Sequence, residues 1–443
     1  MNTKLLLIDI PVISGSDQIR IYPPHWAAYL SAYLECRVEY LDARVEHGSV
    51  LLEHHVKDAS WFSFGLPLSE LVERIRLRSP EILGIHVGVS AELGVAERLV
   101  DLLSREKMAL RIILGGPGIA TVPRKYLPPS LRKCEISTAL SFGSPMNVSL
   151  PWRSYSIDTL PDREIFSGYS ERYREIGRFH SGRPIVEPAG QITTSVGCGG
   201  TCLFCPSRNM IRRERSGSSV MKEMLALRCS GVRCLQLEDD NFLGWAEADV
   251  RSKVSLLGQI IDLGFEGVEF PNGLTVRSMR NPLFLGWLEE ALRGGTYVRI
   301  GLPFESASDE SLRLIRKPHR HDECLELLRK FGAYKEGRLQ LEAFLQIGIA
   351  AFDTSGVLVL EKESSIRETI RFAKELKEAG IVVNVFFNSP VPGSELFPFW
   401  REKYPDEPWE RLLYTVPPAY LDGILAQELR AEMREINDHS QRI

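Results

Sequence analysis

Cysteine is scarce in this chain, with eight in 443 residues. So few thiols exclude a disulfide-built scaffold, and three of the eight fall in one short run. An excess of positive charge is also missing. Fifty-four Lys and Arg stand against 58 Asp and Glu, for a net charge of −4. That leaves no electrostatic footprint for a nucleic-acid backbone, and no nucleic-acid partner is expected. No uninterrupted apolar run approaches about 18 residues, so no membrane span is expected. The opening stretch to Pro11 is apolar for too few residues to be a secretion signal, and Asp9 and Pro11 interrupt it. Internal repeats and low-complexity segments are absent. Sparse, clustered cysteine implies a reducing compartment, and the cytoplasm is the expected location.

What is present has ordinary globular composition, 44% hydrophobic and 25% charged. The length suits about two to three domains. Strands are expected at 4–12, 38–41, 82–87 and 111–114. One helix opens at Pro23-Pro24-His25, and another covers about 91–107. This alternation implies a doubly wound parallel sheet with helices on both faces, a Rossmann-like α/β domain. The strand at 111–114 ends in Gly115-Gly116-Pro117-Gly118. Ligands bind beyond the carboxyl ends of such strands, and glycine lets backbone approach them closely. A simple βα turn is the alternative reading.

Residues 128–189 lose periodicity and read as a linker. Its aromatics Trp152, Tyr155, Tyr169 and Tyr173 are candidates to cover a ligand. A second βα series follows. Strands are expected at 190–196, 233–238, 267–271, 297–302, 341–348 and 381–387. Helices fit at 218–230, 246–263, 282–293, 308–317 with 321–332, and 364–379. Six βα units imply a partial (β/α)6 barrel with its active groups at the carboxyl ends of the strands. The tail looks helical near 421–436. The expected domains are thus 1–127, linker 128–189, barrel 190–395 and helical extension 396–443.

Cys198, Cys202 and Cys205 form C-x3-C-x2-C just after the first barrel strand. Three thiolates can hold three irons of a [4Fe–4S] cube and leave the fourth open to an exogenous ligand. A zinc knuckle is the competing reading. It needs four protein ligands, and no second pair lies at finger spacing. Arg212-Arg213-Glu214-Arg215 follows the loop. It reads as a solvated helix start, or else as a face for an anionic substrate. The remaining cysteines have no partner spacing and read as packing.

With Phe204 as the aromatic of C-x3-C-x-aromatic-C, residues 190–394 resemble the radical S-adenosylmethionine (SAM) superfamily. The resemblance implies that the open iron chelates SAM's amino and carboxylate groups. The cluster then donates an electron, the sulfonium C–S bond cleaves, and a 5′-deoxyadenosyl radical abstracts hydrogen. It also places a carboxylate among Glu238, Asp239 and Asp240 against the SAM amino group, without deciding which. Glu305 and Ser306 take the ribose-contacting position, Glu305 with acceptors for both hydroxyls. Arg277 is a candidate for the SAM carboxylate and Gln346 for the adenine side. Asn388 to Ser394 resembles the last-strand Pro-x-Pro-Gly-Ser stretch.

The N-terminal part resembles the cobalamin-binding domain that precedes this barrel in one subgroup. The helix from Pro23-Pro24-His25, the loop Gly115, Gly116, Pro117 and Gly118, and Ser90 after the third strand carry the likeness. The Asp-x-His-x-x-Gly that supplies a histidine to cobalt is missing, since Pro11 stands two residues after Asp9. The resemblance therefore implies bound cobalamin without a histidine below the cobalt. His25 and His86, the nearby imidazoles, read as structural. A clear fifth strand is also lacking.

The resemblance implies a cobalamin-dependent radical SAM enzyme, a C-methyltransferase acting on an unactivated carbon of a small molecule. Its cofactors would be a [4Fe–4S] cluster, SAM and cobalamin. Its partner would be an external one-electron reductant such as flavodoxin or ferredoxin. The alternatives are a radical rearrangement or cyclisation, a cobalamin-free N-terminal domain, and a metal-holding regulator.

Overall fold

The computed structural model describes residues 4–15, 21, 23–56, 59–137, 148–150, 152–153, 156–177, 185–208, 210–332, 334, 337–421 and 423–438. The chain divides into two units. The first comprises Met1–Arg183, Ser389–Gly393 and Phe397–Ala419. The second comprises Pro184–Asn388, Ser394–Leu396 and Tyr420–Ile443.

In the first unit, five parallel strands form one sheet. They are β1 (Lys4–Asp9), β2 (Arg37–Asp42), β3 (Ile82–His86), β4 (Arg111–Gly115) and β5 (Glu135–Ile136), in the order β2-β1-β3-β4-β5. The period of two in β1 splits the core. Leu6 and Ile8 pack with α2 (Leu68–Arg78) and α3 (Leu93–Arg105). Leu5 and Leu7 pack with α1 (His25–Tyr33). Strand β1 is buried on both faces, which is why it reads as a continuous apolar run. Helix α3 buries Val95, Ala96, Leu99, Val100 and Leu103, a stripe at helical spacing. Truncating such a core leucine costs about 2–5 kcal/mol.

Three features depart from the sequence expectations. The fifth strand exists, but its two residues lie inside the stretch read as a linker, too short to show a period. A second, antiparallel sheet of Val12–Ser14, Ala59–Gly65 and Val50–Val56 was not expected. Val50, Leu51 and Leu52 stay exposed on it, so no alternation marks the strand. Phe397, Trp400, Trp409 and Leu412 of the tail belong to the core under α2 and α3. As for the linker aromatics, the Tyr173 hydroxyl donates to Asp42 at 2.6 Å and that of Tyr169 to Glu46 at 2.7 Å. Both are tied to the first unit's own carboxylates. Tyr155 lies outside the described residues.

The second unit is built on six parallel strands in sequential order. They are β6 (Ala189–Ile192), β7 (Cys234–Leu237), β8 (Gly267–Phe270), β9 (Tyr297–Glu305), β10 (Leu339–Ile347) and β11 (Val382–Phe387). The connecting helices include α4 (Gly217–Cys229), α5 (Glu247–Asp262), α6 (Pro282–Arg293), α7 (His321–Phe331) and α8 (Glu363–Glu378). A final helix, α9 (Gly423–Asn437), follows. These elements lie within a few residues of the expected ones, because helix starts are written locally. Ser216 caps α4 by accepting from Ser219 N, and Asn281 followed by Pro282 opens α6. Among the described residues no helix is long and apolar enough to cross a membrane.

Candidate active site

The cysteine loop leaves β6 through Thr193-Thr194-Ser195, which a buried polar clamp holds. Arg215 donates to Thr193 O at 2.8 Å and pairs with Glu223 at 2.6 Å. Lys253 donates to Thr194 Oγ1 at 2.6 Å. Arg215 is therefore neither solvated nor aimed at a substrate; it anchors the strand end. Arg212 likewise donates to the carbonyls of Asn241 and Phe242. The chain then turns at Gly197, with φ +82°. A Cβ there would lie 2.5 Å from the Ile211 carbonyl oxygen, so only glycine fits. Trp245 Nε1 donates to Cys198 O at 2.7 Å, and Leu203 N to Ile315 O at 3.1 Å. Glu395 N donates to Leu203 O at 3.0 Å.

On this pinned loop the three thiols are free and half-buried. Burial raises all three above the ordinary thiol range, Cys205 to about 12, while Lys317 pulls the other way. A metal must displace the thiol protons. Among the described residues no three His, Cys, Asp or Glu side chains group as ligands of a single ion. A cube makes a different demand, one thiolate on each of three irons. Three free thiols spaced along one fixed loop suit that donor set.

The three acids after β7 diverge. Asp239 is buried and accepts from Thr194 N at 3.0 Å, Thr194 Oγ1 at 2.7 Å and Ser195 Oγ at 2.5 Å. Asp240 accepts from Gly197 N at 2.9 Å and Ser207 Oγ at 3.1 Å. Both acids therefore brace the cysteine loop. Glu238 accepts only from Gln191 Nε2, at 3.2 Å, among its described side-chain bonds. Burial pushes its carboxyl up to about 7.

Glu305 closes β9 just after a register shift, with φ +65°, an uncommon value for a residue with a Cβ. Its Oε1 pairs with Lys317 Nζ at 2.8 Å, and its Oε2 accepts from Gln346 Nε2 at 2.5 Å. Gln346 Oε1 in turn accepts from Asn388 Nδ2 at 2.6 Å. The ends of β9, β10 and β11 are thereby joined into one polar chain. Asn388 Oδ1 is buried at its end without a hydrogen-bond partner. Lys317 was not picked out from the sequence. Its ammonium lies 5.6 Å from the Phe204 ring centroid. Burial opposes its charge, but Glu305 and Cys202 outweigh burial and hold its pKa above the usual value. A lone Lys in Arg316-Lys317-Pro318 carries no spacing signal that reveals this.

Two candidates lie off this polar chain. Ser306 Oγ bonds Thr369 Oγ1 at 3.0 Å and accepts from Ser308 N at 3.1 Å, inside the packing of α8. Arg277 is exposed and lines a cavity of about 180 Å³ with Trp245, Thr275 and Asn281.

In the first unit the loops after β3 and β4 lie against each other. A Cβ on Gly118 would sit 2.9 Å from Ser90 N, and one on Gly116 would sit 2.5 Å from Val87 O. Ser90, Gly116 and Gly118 are thus brought together, while Gly115 faces Ser137 at ordinary contact distance. The strand ends beside them carry a network that the sequence did not announce. Asp9 meets Tyr40, Trp26, Arg44 and His86, and Asp42 meets Arg44 and Tyr173. Burial opposes ionisation of Asp9, but Arg44 and His86 outweigh it and hold the carboxyl well below the usual range. Glycine at 116 and 118 lets these two loops lie in backbone contact, and Val89 stays exposed beside them, an edge of glycine backbone and apolar side chain that suits the flat face of a corrinoid.

No family model matches the chain. It is 21% identical over 430 residues to an uncharacterized methyltransferase of Pyrococcus horikoshii, covering 89% of this chain and 83% of that protein. It is 27% identical over 285 residues to cytidylyl-2-hydroxyethylphosphonate methyltransferase of Streptomyces wedmorensis, covering 60% of this chain and 49% of that one. Among solved structures, the cobalamin-dependent S-adenosylmethionine radical enzyme OxsB, with aqua-cobalamin bound, superposes with TM-score 0.58 at 14% identity. The match covers 98% of this chain but 61% of OxsB. The radical S-adenosylmethionine methyltransferase TsrM of Kitasatospora setae, with cobalamin and a [4Fe–4S] cluster bound, also gives 0.58 at 14% identity, covering 99% and 92%. The chain has the α/β fold of the cobalamin-dependent radical SAM enzymes.

Proposed function

We propose that this protein is a cobalamin-dependent radical SAM enzyme that C-methylates an unactivated carbon of a small molecule. The observation that carries the reading is the braced loop of three free thiols beside the Lys317–Glu305–Gln346–Asn388 chain. When bound, the cluster, SAM and cobalamin supply electron transfer, hydrogen abstraction and methyl carriage that no side chain provides.

The protein's own groups bind and orient. Cys198, Cys202 and Cys205 hold iron, and Asp239 and Asp240 fix the loop that carries them. Glu238, with an oxygen to spare, accepts from an N–H of the SAM amino group. Lys317 supplies positive charge near the cysteines for the SAM carboxylate. Glu305 accepts from the ribose hydroxyls. Gln346 and the unpartnered Asn388 oxygen meet the adenine edge, and Phe204 packs beside them. Ser306 serves packing in this reading, and Arg277 lines the cavity beside Trp245. Ser90 and Gly115 to Gly118 form the corrinoid-facing surface. The electron comes from an external reductant such as flavodoxin or ferredoxin, and the reducing cytoplasm keeps the thiols available.

Anaerobic reconstitution with iron, sulfide and hydroxocobalamin, followed by SAM cleavage under strong reductant, tests the reading. Cluster absorbance, 5′-deoxyadenosine and a product heavier by one CH2 are expected. Zinc in place of iron, or an intact cluster that never cleaves SAM, overturns it. A product of unchanged mass ends the methyltransferase part.

A further inference from the structure

Trp245 lies in the loop between β7 and α5, and its indole reaches back to the cysteine loop. Its Nε1 donates to Cys198 O at 2.7 Å. A Cβ on Gly199 would lie 3.5 Å from Trp245 Nε1 and 3.6 Å from Cδ1. One on Gly200 would lie 3.5 Å from Trp245 Cζ2 and 3.1 Å from Cys198 Sγ. Gly199, at φ +70°, and Gly200 thus present bare backbone to the ring. The indole edge and the Cys198 sulfur flank the same point on that backbone.

The ring's own backbone is held from behind. Gly244 turns the chain at φ +70°, where a Cβ would lie 2.6 Å from Asp249 Cβ. Asp249 Oδ2 then accepts from Trp245 N at 3.3 Å and Ala246 N at 3.1 Å. On its outer side Trp245 lines the cavity of about 180 Å³, where Glu247 and Arg277 are exposed to solvent. Cys198, Gly199 and Gly200 do not line that cavity; Trp245 does. The indole therefore stands between a solvent-reaching cavity and the first thiol of the loop. Nothing in Leu243-Gly244-Trp245-Ala246 marks this role, since it has no fixed spacing to the cysteines.

We infer that Trp245 is a positioning residue for the iron–sulfur cluster: it fixes the loop at Cys198 and keeps water from that side, which holds the cluster's reduction potential low. The inference rests on the cluster reading above. The shell around a metal site controls solvent access and local dielectric, and both set the potential. The sign follows from charge. With its thiolates the cluster is already anionic, and the electron taken from the external reductant makes it more so. Water stabilises the more highly charged state more. A wetted cluster is therefore easier to reduce, and a dry one is the stronger donor to SAM. Trp245 itself gains and loses no electron.

The full chain would be reconstituted anaerobically with iron and sulfide, and the cluster titrated with reductant while electron paramagnetic resonance counts the reduced form. Trp245→Phe keeps a ring on the loop and loses the indole N–H. Trp245→Leu keeps less cover, and Trp245→Ala almost none. The midpoint potential is expected to climb stepwise from the native protein through Phe and Leu to Ala. Bleaching of the cluster absorbance in air should quicken several-fold in the same order. An unchanged midpoint across the series, or a Phe variant displaced as far as Ala, overturns the inference and leaves the radical SAM reading standing. If the alanine variant holds no cluster, the step from Phe to Leu decides alone. The stepwise climb in a protein that never cleaves SAM supports the inference and ends the radical SAM reading alone. A native protein that takes up no cluster overturns both.

Discussion

At the carboxyl ends of β1 to β3, the carboxylates are almost fully answered by the protein. Asp9 meets four donors, and Asp42 accepts from Arg44 and Tyr173. At the ends of β6 to β11, the polar groups are only partly answered. Glu238 has one described side-chain partner, Asn388 Oδ1 has none, and three thiols stay free. Both sheets obey the same topological rule that gathers function at strand ends. They use it differently. A saturated network holds a single imidazole in one fixed pose. An unsaturated one leaves acceptors and thiols for a ligand to complete, and a buried acceptor without a partner is costly until a ligand arrives.

The largest effect that would sharpen this contrast is Cys202→Ala. Cluster absorbance and SAM cleavage should fall to background, while cobalamin uptake is unchanged; ultraviolet–visible spectra and a 5′-deoxyadenosine assay read both. Coupled loss of cobalamin would break the contrast. Next come the buried ion pairs. Lys317→Met strands Glu305, and Arg44→Met strands Asp9 and Asp42. Each should cost on the order of 3–5 kcal/mol in denaturant unfolding. Only Lys317→Met should also weaken SAM binding, as read by calorimetry on reconstituted protein.

A smaller effect concerns pH. The free Glu238 carboxyl titrates at about 7 because burial disfavours its charge. The ionised form is the stronger acceptor for the N–H of the SAM amino group. SAM affinity should therefore rise as pH increases through about 7, and the rise should flatten in Glu238→Gln. The smallest changes are Tyr173→Phe and Ser306→Ala. Each loses a buried hydrogen bond worth about 1 kcal/mol, and neither should alter SAM cleavage.

The strand series of the second unit was legible because its helices announce their own starts. Ser216 and Asn281–Pro282 are local signals that need no tertiary partner. Strand β5 and the exposed hairpin strand Val50–Val56 were not legible, one too short and the other lacking alternation. In the site, resemblance named three acids after β7, but only geometry separates Glu238 from the two that brace the loop. It likewise turns Ser306 into the packing of α8 and brings in Lys317 from a loop that carries no motif.

By itself the sequence determined the three-thiol loop and the strand–helix alternation. Both are short-range properties, set by covalent spacing and by periods of two and 3.6 residues. The pairings of Asp9 with His86 and of Glu305 with Lys317 and Gln346 were decided only by tertiary structure. Parallel register brings His86 to Asp9 and Gln346 to Glu305 from distant strands, and the fold of the loop after β9 returns Lys317 to Glu305.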